Sequence, residues 1–141
     1  MWMDAVYEPG EVKVVAYNKD GKAVAEKVVR TAGKPHHIEL VSNRNELTAD
    51  GKDLAYITVK VVDKDGRRCP LDNRTVQFTL DGNAEWRGGI AQGENNHILA
   101  TNLPVECGIN RALIRSTTTA GKVTLTAQAE AVSYTHLTLP T

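Results

Sequence analysis

The chain is poor in aromatic side chains, with two Trp, four Tyr and one Phe among 141 residues. That is too few for a broad platform on which sugar rings could stack. Two cysteines allow at most one bridge within the chain. Neither charge is in excess, since 17 Lys and Arg face 17 Asp and Glu. The balance argues against nucleic acid or an anionic membrane surface as partner, because each requires a surplus of basic side chains. No apolar run approaches the ~18 residues that cross a bilayer as a helix. No basic stretch followed by an apolar one opens the chain, as a secretory leader would. No segment keeps a 3.6-residue apolar period over three turns, so long helices are not expected.

What the chain has in quantity is side chains branched at Cβ: 15 Val, 14 Thr and 6 Ile. Such residues suit a pleated, half-buried surface and are slightly poor helix formers. They occur in short alternating runs closed by turn signals, the pattern of an all-β sandwich or barrel. EVKVVAY and KAVAEKVVRT flank NKDG, which predicts an antiparallel hairpin of Val12–Tyr17 with Lys22–Val29. Thr31-Ala-Gly-Lys-Pro35 then reads as a linker, since Pro35 cannot donate a ladder hydrogen bond. HHIELVS, LAYITVKVVD and NRTVQFTL follow, with turns at Ala49–Lys52 and Lys64–Arg67. In the second of these, Ile57, Val59 and Val61 define a buried face, and Thr58, Lys60 and Val62 a wetted one. INRALIRS and KVTLTAQA, joined by TTTAG, read as a last strand pair. Between Leu80 and Ile109 lies a Gly- and Asn-rich stretch too long for a plain loop in a compact domain, so it either hides strands or has its own role. The expected core is Ile38, Leu40, Ile57, Val59, Val61, Val76, Phe78, Leu80, Leu113, Val123 and Leu125. Residues 34–132 match the size of an immunoglobulin-like antiparallel sandwich of about seven strands. Residues 1–33 are two strands without a third, at best marginal alone, so they either pack on the main sandwich or are the cut end of a neighbouring domain.

Two stretches carry a family pattern. YEPGEVKVVAYNKDGKAVAEKVVRTAGKP resembles the closing hairpin and linker of the sandwich that follows the catalytic barrel in β-galactosidase-type family 2 glycoside hydrolases. That resemblance implies that residues 1–33 are the closing hairpin of a truncated neighbouring sandwich. IELVSNRNELTADGKDLAYITVKVVDKDGRRCP, with VQFTLDG, WRGGIAQG and LPVECGINRALIRSTTTAGKVTLTA, resembles the immunoglobulin-like domain at the C-terminal end of those enzymes. The second stretch also shares features with invasin-type bacterial surface repeats. The resemblance implies an accessory region of an enzyme that hydrolyses β-glycosides with retention, through two glutamates on a TIM barrel. That barrel needs about 200 residues or more, and no Glu here matches its catalytic motifs. No catalytic residue and no cofactor are therefore expected. The implied partners are the catalytic and sandwich domains of the parent chain, with glycan and self-association through the hairpin as further expectations. A periplasmic or secreted location of the parent is implied by the family alone. Two readings compete with the accessory role: a carbohydrate-binding module and an invasin-like adhesion repeat. SYTHLTLPT (133–141) departs from the family; it extends no expected strand and reads as a translated adaptor tail, non-native to the chain.

Trp86, beside Arg87 and two glycines in AEWRGG, is the best candidate for contact with a sugar, together with Trp2 if the two rings share a surface. The alternative is a Trp packed over one end of the core, which is favoured because large aromatics usually pack. His36 and His37 are expected to diverge as strand neighbours do, and so to hold no metal between them. Cys69 and Cys107 could bridge in an oxidising compartment, but no pattern forces them together, and free thiols are the favoured reading. Gly88, Gly89 and Gly93 fit no phosphate-loop spacing. Asp50, Asp63 and Asp65 lie in turns without the full calcium-loop pattern. Asn73-Arg74-Thr75 is a glycosylation sequon, meaningful only in a eukaryotic secretory setting.

Overall fold

The structure is a computed structural model that describes residues 3–92 and 94–141. The chain forms two compact units, Met1–Ala32 and Gly33–Thr141. Secondary structure among the described residues is entirely β. The first unit holds β1 (Glu11–Tyr17) and β2 (Ala23–Arg30). The second holds β3 (His37–Ser42), β4 (Leu54–Val62), β5 (Thr75–Gly82), β6 (Ala84–Gln92), β7 (Asn95–Ile98), β8 (Asn102–Pro104), β9 (Ile109–Ser116), β10 (Lys122–Gln128) and β11 (Thr135–Pro140).

In the first unit, the Asn18 carboxamide accepts N–H bonds from Asp20 and Lys22 at 3.0 and 2.9 Å and so closes the turn between β1 and β2. Cross-strand register then sorts the side chains. One face carries the ion pairs Lys13–Glu26 and Arg30–Glu11, whose chains flank the half-buried Val15 and Val28. The other carries Val12, Val14 and Val29, which stay 66, 47 and 61% exposed.

The second unit is an immunoglobulin-like sandwich of two antiparallel sheets, ordered β11-β10-β5-β8 and β3-β4-β9-β6-β7. Alternation drives it: β4 turns Ala55, Ile57, Val59 and Val61 inward, while β10 meets them with Val123, Leu125 and Ala127. Ile38, Val76, Phe78, Leu103 and Ile114 fill the remaining space between the sheets.

The stretch after Leu80 does hide strands, β6, β7 and β8, interrupted by bulges that break their pattern. Several expectations need correction. INRALIRS and KVTLTAQA do not pair, because β9 sits between β4 and β6 while β10 crosses to the other sheet beside β5. Leu113 faces outward opposite Tyr56, and Ala112, Ile114 and Ser116 are the inward residues of β9. Leu40 and Leu80 are only half-buried. Val62 is fully buried, because the strand end is covered where its carbonyl accepts His36 N–H and its backbone pairs with Arg68. Segment 133–141 contains an edge strand, β11, which pairs with β10 from Lys122–Pro140 to Ala127–Thr135 and buries Leu139. Its inward Leu137 and Leu139 fall in step with Leu125 and Val123, an alternation that is short but sufficient for an edge.

Candidate functional site

Trp86 and Arg87 lie in β6, at a bulge where β6 slips against β9 between Trp86 and Gly88. The Trp86 ring stacks on Phe78 of the opposite sheet, with centroids 5.2 Å apart and planes 29° from parallel. Its indole N–H donates to the Ala100 carbonyl at 2.9 Å. One ring face and the polar edge are thereby engaged within the sandwich, and the residue is half-buried. Arg87 is also half-buried, and its carbonyl accepts the Leu99 N–H at 3.1 Å. Trp2 and Gly93 lie outside the described residues.

Gly88 explains the glycine-rich run without a ligand. Its φ is +75°, and a Cβ there would stand 2.5 Å from Leu99 N and 2.6 Å from the His97 carbonyl oxygen. Only glycine lets β7 approach so closely. Gly89 is likewise closed over by Leu103, 2.9 Å from where its Cβ would be.

His36 and His37 do not diverge. Their Nδ1 atoms are 3.0 Å apart and their rings meet edge to face. The strand begins only at His37, so the alternation rule does not reach His36. Among the described residues, no group of three or more His, Cys, Asp or Glu gathers as a metal site would require.

The turn aspartates bind backbone. Asp50 Oδ1 accepts N–H bonds from Lys52 and Asp53, both at 2.8 Å. Buried Asp63 accepts from Gly33 at 2.8 Å and from Asp65 and Arg67 at 2.9 Å. The Gly33 N–H above all, then those of Arg67 and Asp65, hold its carboxyl below the ordinary range against the penalty of burial. Burial works against the charge of Asp72 too, but the Arg74 guanidinium at 2.7 Å and the Arg74 N–H outweigh it and lower that carboxyl. Cys69 is a buried free thiol, pushed up by burial and then by the charges of Asp63 and Asp72, which makes it a poor nucleophile. Cys107 is exposed and free. Its N–H is held by the Asn73 side chain of the sequon at 3.1 Å.

Two depressions lie outside the expected positions. One, of about 270 Å³, lies on the outward face of the five-stranded sheet around Tyr56, over whose ring Arg111 sits at 6.0 Å. The other, of about 490 Å³, opens on the outward face of the four-stranded sheet beside Thr75, Gln77, Asn102 and Gln128. Thr75, Gln77, Asn102 and Gln128 come from three strands and are juxtaposed by register, which no local sequence signal reveals. Ala129, Glu130, Val132, Ser133 and Tyr134 of the segment between β10 and β11 complete the wall.

Comparison with known proteins places this arrangement. The family model described as glycoside hydrolase family 2 C-terminal domain 5 matches residues 38–138. A second model, described only as a domain of unknown function, matches residues 1–25. The β-galactosidase BoGH2A of Bacteroides ovatus is 50% identical over 91 residues, covering 64% of this chain and 10% of that protein. A β-glucuronidase of Formosa agariphila is 38% identical over 127 residues, covering 89% of this chain and 13% of its own length. The crystal structure of a glycosyl hydrolase family 2 member from Bacteroides cellulosilyticus superposes with a TM-score of 0.89 at 33% identity, over 96% of this chain and 18% of that one. The chain thus spans about a tenth to a fifth of the length of these relatives.

Proposed function

The chain belongs to the glycoside hydrolase family 2 C-terminal domain 5 family, and from that premise we propose that it is a non-catalytic accessory region that supports the other domains of a β-glycoside-cleaving enzyme. The observation that carries this reading is the hairpin of the first unit. Its salt-bridged face suits water, whereas the bare valines Val12, Val14 and Val29 of its other face suit burial under further strands. The names of the relatives, a β-galactosidase and a β-glucuronidase, favour a β-glycoside as the substrate of the parent. The same reading carries export of the parent to the periplasm or the medium.

Removing the matching region from the Bacteroides ovatus β-galactosidase tests the accessory role. The shortened enzyme should melt several degrees lower, while kcat below the melting range stays within about twofold, as expected where no group touching the reacting atoms is lost. A collapse of kcat at unchanged thermal stability would overturn the accessory reading and place reacting groups in this region. A carbohydrate-binding role centred on Trp86 is less favoured, because the stack on Phe78 and the bond to Ala100 already engage its ring.

A further inference from the structure

The two outward faces of the sandwich differ in kind. On the five-stranded sheet, the ion pairs Glu39–Lys60 and Glu85–Arg115 flank Tyr56 and Arg111. On the four-stranded sheet, the central outward residues are Gln77, Thr79, Asn102, Thr124, Thr126 and Gln128, all neutral hydroxyls or amides. Protein surfaces ordinarily interleave charges of both signs at about one residue in three or four. Here the charges of β5 and β10 are confined to one end, at Asp81 and Lys122.

Register sharpens the point. Gln77 lies directly opposite Asn102 on β8 and opposite Gln128 on β10. Three carboxamides therefore stand in a row across three strands. With strands about 4.8 Å apart, the row spans roughly 10 Å. None of the three has a hydrogen-bond partner among the described residues, and all are exposed. Each presents a donor and an acceptor side by side, which is the complement of a pair of neighbouring sugar hydroxyls. The depression of about 490 Å³ opens over this row, in the size range of small-ligand sites. Its wall at Glu130 is anchored, because Arg74 donates to the Glu130 carbonyl at 2.6 Å while paired with Asp72.

We propose that the outward face of β8, β5 and β10 binds a neutral oligosaccharide, laid across the strands along the Asn102–Gln77–Gln128 row. Strand spacing suits the repeat of successive pyranose rings, and the neutral amides and hydroxyls of the strands fit an uncharged ligand. Among the described residues, Glu130 is the one charged residue of the depression's wall. The depression over the row is walled by Ala129, Glu130, Val132, Ser133 and Tyr134, while the row itself lies within residues 77–128. It lies on the sheet opposite to Trp86 and Arg87 and goes beyond the accessory role, so the two stand or fall separately.

The test is an NMR titration of the whole chain with xylotetraose, with β-1,4-galactotetraose and with tetragalacturonate. At least one neutral probe should shift the side-chain amide signals of Asn102, Gln77 and Gln128 saturably at millimolar concentration. Gln77→Ala should weaken that binding roughly three- to tenfold, as the loss of a sugar hydrogen bond requires. Gln77→Thr, which repeats the residue type of its neighbours on β5, provides a second variant should the first disturb the fold. Any of four results overturns the proposal: no saturable shift with either neutral probe, tighter binding of tetragalacturonate, unchanged affinity in a folded Gln77 variant, or shifts centred on Trp86 and Arg87.

Discussion

A carboxylate ringed by backbone N–H donors keeps its charge even when buried, and Asp63 is such a group. It ties Gly33, at the start of the second unit, to the turn that follows β4. Its folded pKa is lowered, so the unfolded chain binds the proton more readily. The stabilisation is therefore complete above the ordinary carboxylate value of about 3.9 and is lost as pH falls below it toward the folded pKa. Asp63→Asn should be less stable than the wild type at pH 7 and show a flatter rise of stability with pH in the acid limb, measured by urea unfolding across that range. An unchanged acid limb would mean that the three N–H bonds are not what holds the charge. At Trp86, the stack and the bond to Ala100 predict that Trp86→Ala destabilises by about 2–4 kcal/mol, whereas Trp86→Phe, which loses only the indole hydrogen bond and some area, loses about 1 kcal/mol. Equal stability of Trp86→Ala and wild type would remove the packing role. The sequence left Trp86 with two readings because its partner Phe78 lies on another sheet and is not marked by any local pattern.

At the scale of the element, legibility followed the strength of the turns. The β1–β2 hairpin could be read because Asn18 and Gly21 make a turn whose bonds lie within five residues. The inward residues of β4 could be read because strict alternation ran from Ile57 to Val61. β6 could not be read. Its two glycines and its bulges answer to contacts with His97, Leu99 and Leu103, which are tertiary. The row of Gln77, Asn102 and Gln128 was hidden for a related reason, since pairing across β8, β5 and β10 is a property of topology. In β9, Leu113 and Ile114 are adjacent and both apolar, and local sequence does not say which one turns inward. The ladder does: Ile114 is fully buried and Leu113 lies outward beside Arg111 and Arg115. Ile114→Ala should therefore cost about 3–4 kcal/mol and Leu113→Ala under about 1.5 kcal/mol, measured by chemical denaturation at neutral pH. A reversal of that order would shift the register of β9 by one residue.

The whole molecule joins a unit with a core to a unit without one. Residues 33–141 bury Ile57, Val59, Val61, Ile114 and Leu125 completely or nearly so between two sheets, which is the condition for amides that open only by global unfolding. The described residues of the first unit, 3–32, have one two-stranded sheet, and no residue of β1 or β2 is fully buried. Two strands alone are at best marginally stable in water. Hydrogen exchange on the intact chain should then divide sharply at the linker. Amides of Val14, Lys27 and Val29 should exchange with little protection, and those of Val59, Ile114 and Leu125 at the rate set by global stability. The bare valines add a concentration term, because pairing the exposed face of one hairpin with that of a second copy would bury Val12, Val14 and Val29. Protection in β1 and β2 that grows with protein concentration, and disappears in Val14→Lys, would identify that second copy as the cover. Protection equal to the sandwich core at every concentration would show the hairpin to be stable by itself, and the bare valines would then give no reason to expect further strands over it.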